Sequence, residues 1–84
     1  MSVAAEQEPL TAGELIRFWR MRRRLSQLQL ALDANVSTKH LSFVETGRSQ
    51  PSRQLLVHIA QKLDLPIGER NRLLLAGGFA PPYQ

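Results

Sequence analysis

The stretch "SQLQLALDANVSTKHLSFVETG", Ser26 to Gly47, decides how this chain is read. It holds two apolar stripes at helical spacing, each opened by a serine, with a short polar break between them. Ser26 caps the first, with Gln29 as a box-like partner three residues on. Leu30 and Ala31 supply its buried side, and Leu28 and Leu32 are further apolar positions. Asn35 follows Ala34, and asparagine is one of the few residues besides glycine that tolerates the left-handed conformation ending a helix. Ser37 then caps a second helix, with Leu41 and Val44 inward and Gly47 as its C-terminal stop. Two helices of about eight residues joined by so short a turn cross at roughly 90–120°.

Outward from this pair the pattern stays helical. Thr11-x-x-Glu14 is a capping box opening an earlier helix. Ile16, Trp19 and Arg20 share one face of it, and Leu15 and Phe18 widen the stripe. Trp19 is expected in the core, between this helix and the helix pair. The helix should fray across Arg22, Arg23 and Arg24, cations well placed near a helix C-terminus. Pro51 and Ser52 open a fourth helix with a stripe of Leu56, Ile59, Ala60 and Leu63. Pro66 marks the next boundary, and a fifth helix runs from Ile67 to Ala76, closed by Gly77-Gly78 and Pro81-Pro82. No β pattern, internal repeat or low-complexity tract is found. The reading is all-α, a compact five-helix bundle. Residues 1–10 are a flexible arm, 11–78 the folded domain, and 79–84 a C-terminal tail or linker.

Composition narrows the function. The 84 residues carry a net charge of +4, and a chain this short buries only roughly 60–65% of its unfolded surface. Arg17, Arg20, Arg22, Arg23, Arg24, Lys39, Arg48 and Arg53 face only Asp33 and Glu45 in the same span, while the first ten residues carry Glu6 and Glu8. Such a basic middle suits a polyanion, or is a solvated arginine-rich surface. Cysteine is absent, so disulfides and thiolate metal sites are excluded. Two separated histidines without an acidic cluster give metal binding little support. His40 and His58 lie on different helices, and no nucleophile, base or paired carboxylates converge, so no enzyme is read here. No apolar run approaches the ~20 residues of a membrane span, and the start "MSVAAEQEPL" lacks a signal peptide's basic and apolar regions. The expected location is cytoplasmic.

An interrupted helix has a mechanical use on DNA. The first helix of such a pair can cross the backbone while the second enters the major groove, which is about 12 Å wide and admits one helix. Residues 38–46 have the required apolar back and polar front, with Thr38, Lys39, Ser42 and Phe43 outward. Phe43 either meets thymine methyls in the groove or tucks under the Arg48 loop as core.

Residues 13–65 resemble the lambda-repressor or Cro-type helix-turn-helix domain, the XRE family. The match is carried by "LSQLQLA", "VSTKHLSFVETGRSQPS" and "LLVHIAQKLDLP". Further, "LSFVETGRSQPS" with "LDLPIGERNRLLLAGGFAPPY" resembles the N-terminal domain of MmyB-like regulators, where a PAS-like ligand-binding domain follows. Such a domain would begin beyond Gln84. Asn35 departs from the family, which usually has glycine there.

The resemblance implies roles. Gln27 would bond a DNA phosphate, beside the helix N-terminal amides. Thr38, Lys39, Ser42 and Phe43 would read bases, Lys39 donating to guanine O6 or N7 or else to a phosphate. Ser37 fits a cap better than a reader. His40 would touch phosphate from the edge of the face, or stay solvated. Arg48 and Ser49 would grip the backbone, and Arg53 would join them or remain solvated. Arg20 and Glu45 would form a structural ion pair setting the angle of the third helix. The Arg22-Arg23-Arg24 run reads as solvated, with DNA contact as the alternative.

The implied function is sequence-specific double-stranded DNA binding by a bacterial-type transcriptional regulator, as a homodimer on a palindromic operator, without cofactor or membrane. An antitoxin-like interaction module that also autoregulates through DNA is the alternative, and binding of RNA is a further rival with few stacking aromatics to support it. Leu15, Phe18, Leu28 and Leu32, with the tail "GGFAPPY", exceed what the core needs. Phe79 and Tyr83 are expected to dock on a following domain or a second copy, or else to fold back over the core.

Overall fold

The computed structural model describes residues 10–81. The described residues form five α-helices: α1 (Ala12–Arg22), α2 (Gln27–Ala34), α3 (Thr38–Glu45), α4 (Arg53–Lys62) and α5 (Ile67–Ala76). The arm expected over residues 1–10 lies outside the described residues except for Leu10, as does Tyr83 of the tail.

Each start follows from a hydroxyl or a proline. Glu14 N–H donates to Thr11 Oγ1 at 3.0 Å and Thr11 N–H to Glu14 Oε1 at 2.9 Å, the reciprocal capping box. Ser26, Ser37 and Ser52 accept from the amides of Gln29, His40 and Leu55, and Pro66 precedes α5 without a side-chain cap. Gln29 does not complete a box. Its side chain instead donates to Asp33 one turn on, at 3.0 Å.

The five ends are alike. After each helix one residue takes a positive φ, namely Arg24 (58°), Asn35 (60°), Gly47 (83°), Asp64 (52°) and Gly78 (88°). The next residue then donates its N–H back into the last turn: Leu25 to Arg20, Val36 to Ala31, Arg48 to Phe43, Leu65 to Ala60 and Phe79 to Leu74, all at 2.8–3.1 Å. This satisfies carbonyls the helix leaves unpaired. Leu25, Val36, Leu65 and Phe79 then pack onto or into the core. Three corners therefore run as one left-handed residue, one apolar anchor and one cap: Arg24-Leu25-Ser26, Asn35-Val36-Ser37 and Asp64-Leu65-Pro66.

Helix α1 packs on α3 and α5, α2 on α3 and α4, and α4 on α5, so the helices close a ring around one core. Ile16, Leu30, Leu41, Val44, Leu56, Ile59, Leu63, Leu73 and Leu74 are fully buried in it. Burial of each such side chain contributes about 1.5–3 kcal/mol.

Two expectations are corrected here. Trp19 is only partly buried at the rim of the core. Its ring meets Phe18 edge-on at 5.5 Å and is covered by the Arg23 guanidinium at 5.2 Å. Arg23 also donates to the Leu63 and Asp64 carbonyls (2.8 and 3.2 Å), so it ties the end of α1 to the α4–α5 corner. An arginine suits that place because helix-terminal carbonyls carry partial negative charge. Leu15 is not surplus but buried core, whereas Phe18, Leu28 and Leu32 are exposed. Phe79 folds back onto the core.

Candidate nucleic-acid interface

Helix α3 is divided lengthwise. Leu41 and Val44 point into the core and Glu45 is buried. Lys39 and Phe43 lie one turn apart on the side away from Leu41, and Thr38 and Ser42 lie one turn apart along the flank, because residues four apart stack along a helix. Thr38, Ser42 and Phe43 are partly exposed and Lys39 is exposed. Phe43 is not among the partly buried apolar side chains packed on the core. Its ring lies 5.7 Å from Lys39 Nζ and 5.2 Å from the Arg48 guanidinium carbon. His40 sits at the margin of the face, partly buried, its amide taken by the Ser37 hydroxyl.

The loop after α3 owes its shape to Gly47. At φ 83° the chain turns sharply, and the amides of Arg48 and Ser49 both donate to the Phe43 carbonyl, at 2.8 and 3.1 Å. Arg48 is exposed and Ser49 partly so. Arg53 is exposed at the first residue of α4, beyond the loop that holds Arg48 and Ser49.

A buried polar knot holds the far end of α3. Arg20 Nε meets Glu45 Oε2 at 2.8 Å and Arg20 Nη2 meets Glu45 Oε1 at 3.1 Å, a two-point pair. Arg20 Nη1 donates to the Leu25 carbonyl at 2.9 Å, so one guanidinium spans α1, its corner and α3. The Glu45 side chain is 2% exposed and that of Arg20 13%. Gln27 Nε2 adds a third donor to Glu45 Oε1 at 3.0 Å. A primary amide has two N–H donors, so Gln27 at the start of α2 keeps one for another acceptor.

Gly13 is the member of this region that sequence reasoning missed. A Cβ there would lie 2.2 Å from the Val44 carbonyl oxygen and 2.6 Å from that of Glu45. The first turn of α1 therefore rests directly on the backbone at the end of α3. A glycine early in an amphipathic helix, where alanine would be the better helix former, is the signal that could have found it. An open groove of about 680 Å³ lies beside this contact, lined among others by Arg17, Arg20, Gln27 and Gly47.

The chemistry available is that of a cationic and hydroxylic surface. Lys39 and Arg48 take part in neither of the ion pairs found among the described residues, Arg20–Glu45 and Arg72–Glu69. Among the described residues no three His, Asp or Glu gather as a metal site. No helix of the described residues is long and apolar enough to cross a membrane.

The helix-turn-helix family model matches residues 16–70. An uncharacterised HTH-type transcriptional regulator of Mycobacterium tuberculosis is 38% identical over 66 residues, which cover 79% of this chain and 26% of that protein. A regulator of the same description from Mycobacterium bovis gives the same values. The immunity repressor protein of Bacillus phage phi105 is 36% identical over 58 residues, 69% of this chain and 40% of the repressor. The chain thus spans about a quarter of the length of the mycobacterial regulators. No solved structure matches it. The family model covers most of the length that folds into α1 to α5, and the chain belongs to the helix-turn-helix family of transcriptional regulators, of the Cro/C1 type.

Proposed function

We propose that this chain binds double-stranded DNA sequence-specifically, with α3 in the major groove and the loop after it on the backbone. The observation that carries this is the division of α3: Leu41 and Val44 buried behind, Thr38, Lys39, Ser42 and Phe43 in front. In this reading those four side chains meet base edges, while Gln27, His40, Arg48, Ser49 and Arg53 meet phosphates. The Arg20–Glu45 pair and Gly13 fix the pitch of α3 without touching DNA.

Two copies would bind a palindromic operator, their half-sites about one helical turn apart, because one small module makes few base contacts. The unit that binds is residues 11–78, working in the cytoplasm. A likeness to MmyB-like regulators, with a ligand-binding domain joined past the 79–84 tail, belongs to the same proposal. The sequences of the mycobacterial regulators, about four times the matched length, leave room for one.

Selection of sites from random duplex DNA tests the reading. Lys39→Ala should then change which sequences are preferred, at about 1–3 kcal/mol per lost base contact. Arg48→Ala should weaken all sites alike and lower the salt slope by about one unit. If Arg48→Ala re-ranks the operators and Lys39→Ala does not, the placement of α3 in the groove is wrong.

A further inference from the structure

Phe43 stands between two cations that come from different elements. Lys39 lies one turn earlier on α3, and Arg48 lies in the loop beyond its end; both reach the same ring, at 5.7 and 5.2 Å. The geometry of the five helix ends makes this contact unusual within the molecule. In four of them the residue after the left-handed position is apolar and goes to the core: Leu25, Val36, Leu65 and Phe79. After α3 it is Arg48, and it turns outward over the aromatic ring of the residue whose carbonyl it bonds. The usual apolar contact across a helix end is here replaced by a cation on a ring.

We propose that Phe43 is a positioning residue for DNA binding: its ring holds Lys39 and Arg48 in one arrangement, coupling the helix in the groove to the loop on the backbone. The inference rests on the DNA-binding reading and changes it at one position: Phe43 acts through its two cations and not on a base edge. Lysine and arginine on a surface sample many rotamers, and ordering them on DNA opposes binding. A ring face that attracts both cations before DNA arrives lowers that cost. Among the described residues neither cation pairs with a carboxylate, and the ring is the contact they share.

The test is a set of variants titrated by fluorescence anisotropy against a selected operator and a random duplex. Phe43→Leu keeps an apolar side chain able to meet a thymine methyl but removes the ring face; Phe43→Tyr keeps the face. Phe43→Leu should weaken both duplexes by about tenfold, and Phe43→Tyr should recover most of that loss. The double variant Phe43→Leu with Arg48→Ala should lose clearly less than the two single losses multiplied, because both changes disable the contact of Arg48 with the ring. Thermal melts of the variants serve as the check on folding.

The proposal is overturned if Phe43→Leu re-ranks sequences and spares the random duplex, which is direct base reading. It is equally overturned if the Phe43→Leu and Arg48→Ala losses multiply, or if Phe43→Tyr fails like leucine. A measurement without DNA adds to this: the Lys39 and Arg48 side-chain protons should show ring-current shifts in the NMR spectrum that vanish in Phe43→Leu, and their absence in wild type overturns the proposal. Wild-type protein that binds no duplex brings down the DNA reading and this inference together. Wild type that binds while Phe43→Leu equals it brings down the inference alone.

Discussion

Removing Arg20 should be among the most damaging single changes available in this domain, although its side chain still reaches solvent. Glu45 is 2% exposed and takes three hydrogen bonds, two from Arg20 and one from Gln27. In Arg20→Ala the carboxylate keeps Gln27 alone, and the Leu25 carbonyl loses its donor. Breaking a buried pair from one side costs about 3–5 kcal/mol, since a charge is left without compensation. At ~0.05–0.15 kcal/mol per residue, a domain of this length has a total stability of about 4–13 kcal/mol. The change thus removes a large part of it. A loss of about 3 kcal/mol corresponds to a fall in melting temperature of about 12 °C or more for so small a domain.

Urea denaturation followed by far-ultraviolet circular dichroism measures this directly. Arg20→Ala and Glu45→Ala should each lower the midpoint strongly, and the double variant should fall well short of their sum. Arg20→Met with Glu45→Leu, which replaces the pair with apolar contacts, should recover much of the loss. If both single variants stay within about 1 kcal/mol of wild type, the pair behaves like a solvent-exposed one, and the knot does not anchor α3.

Gly13→Ala should destabilise the domain by about 1–3 kcal/mol or more, because the new methyl meets backbone that cannot rotate away; it should also weaken operator binding in the fraction still folded, seen by melting and anisotropy together. Arg24→Gly and Asp64→Gly should each stabilise by about 0.5–1 kcal/mol, since both residues hold positive φ against their Cβ; an unchanged or lower urea midpoint would refute strain at those corners. Leu56→Ala, deep in the core, should cost about 3–5 kcal/mol. Trp19→Ala should cost less than Leu56→Ala and still melt cooperatively, because much of the indole lies at the rim.

The sequence showed most where one residue suffices to mark an event. Thr11, Ser37 and Ser52 are caps, Asn35 and Gly47 are turns, and α5 runs from Ile67 to Ala76 as its punctuation suggests. It showed least where the deciding atoms are distant along the chain. Nothing local tells that Trp19 lies at the rim, that Arg23 reaches the Leu63 carbonyl, or that Gly13 touches α3. Arg24 and Asp64 were missed for another reason: arginine disfavours positive φ, and aspartate, which tolerates it, is common outside such turns as well. Their place one residue before an apolar anchor and two before a cap is the pattern that identifies them, and Asn35 carries it too. The site is legible as a set of residue types on one face of α3. The ring contacts of Phe43 are not, because their partner Arg48 depends on how the loop turns at Gly47.

The corners bear also on time. Each of the three tight corners joins its helices through a few residues, and each end is closed by hydrogen bonds within its own last turn. Little chain entropy is therefore lost in forming each corner, although the ring itself is closed by α1 on α3, α2 on α4 and α1 on α5, which are not neighbours in the chain. Small helical domains, in which much of the order lies within and between short helices, fold within microseconds to milliseconds. That is brief beside the seconds a ribosome needs to make 84 residues, so the domain can reach its native form almost as soon as its last helix is free.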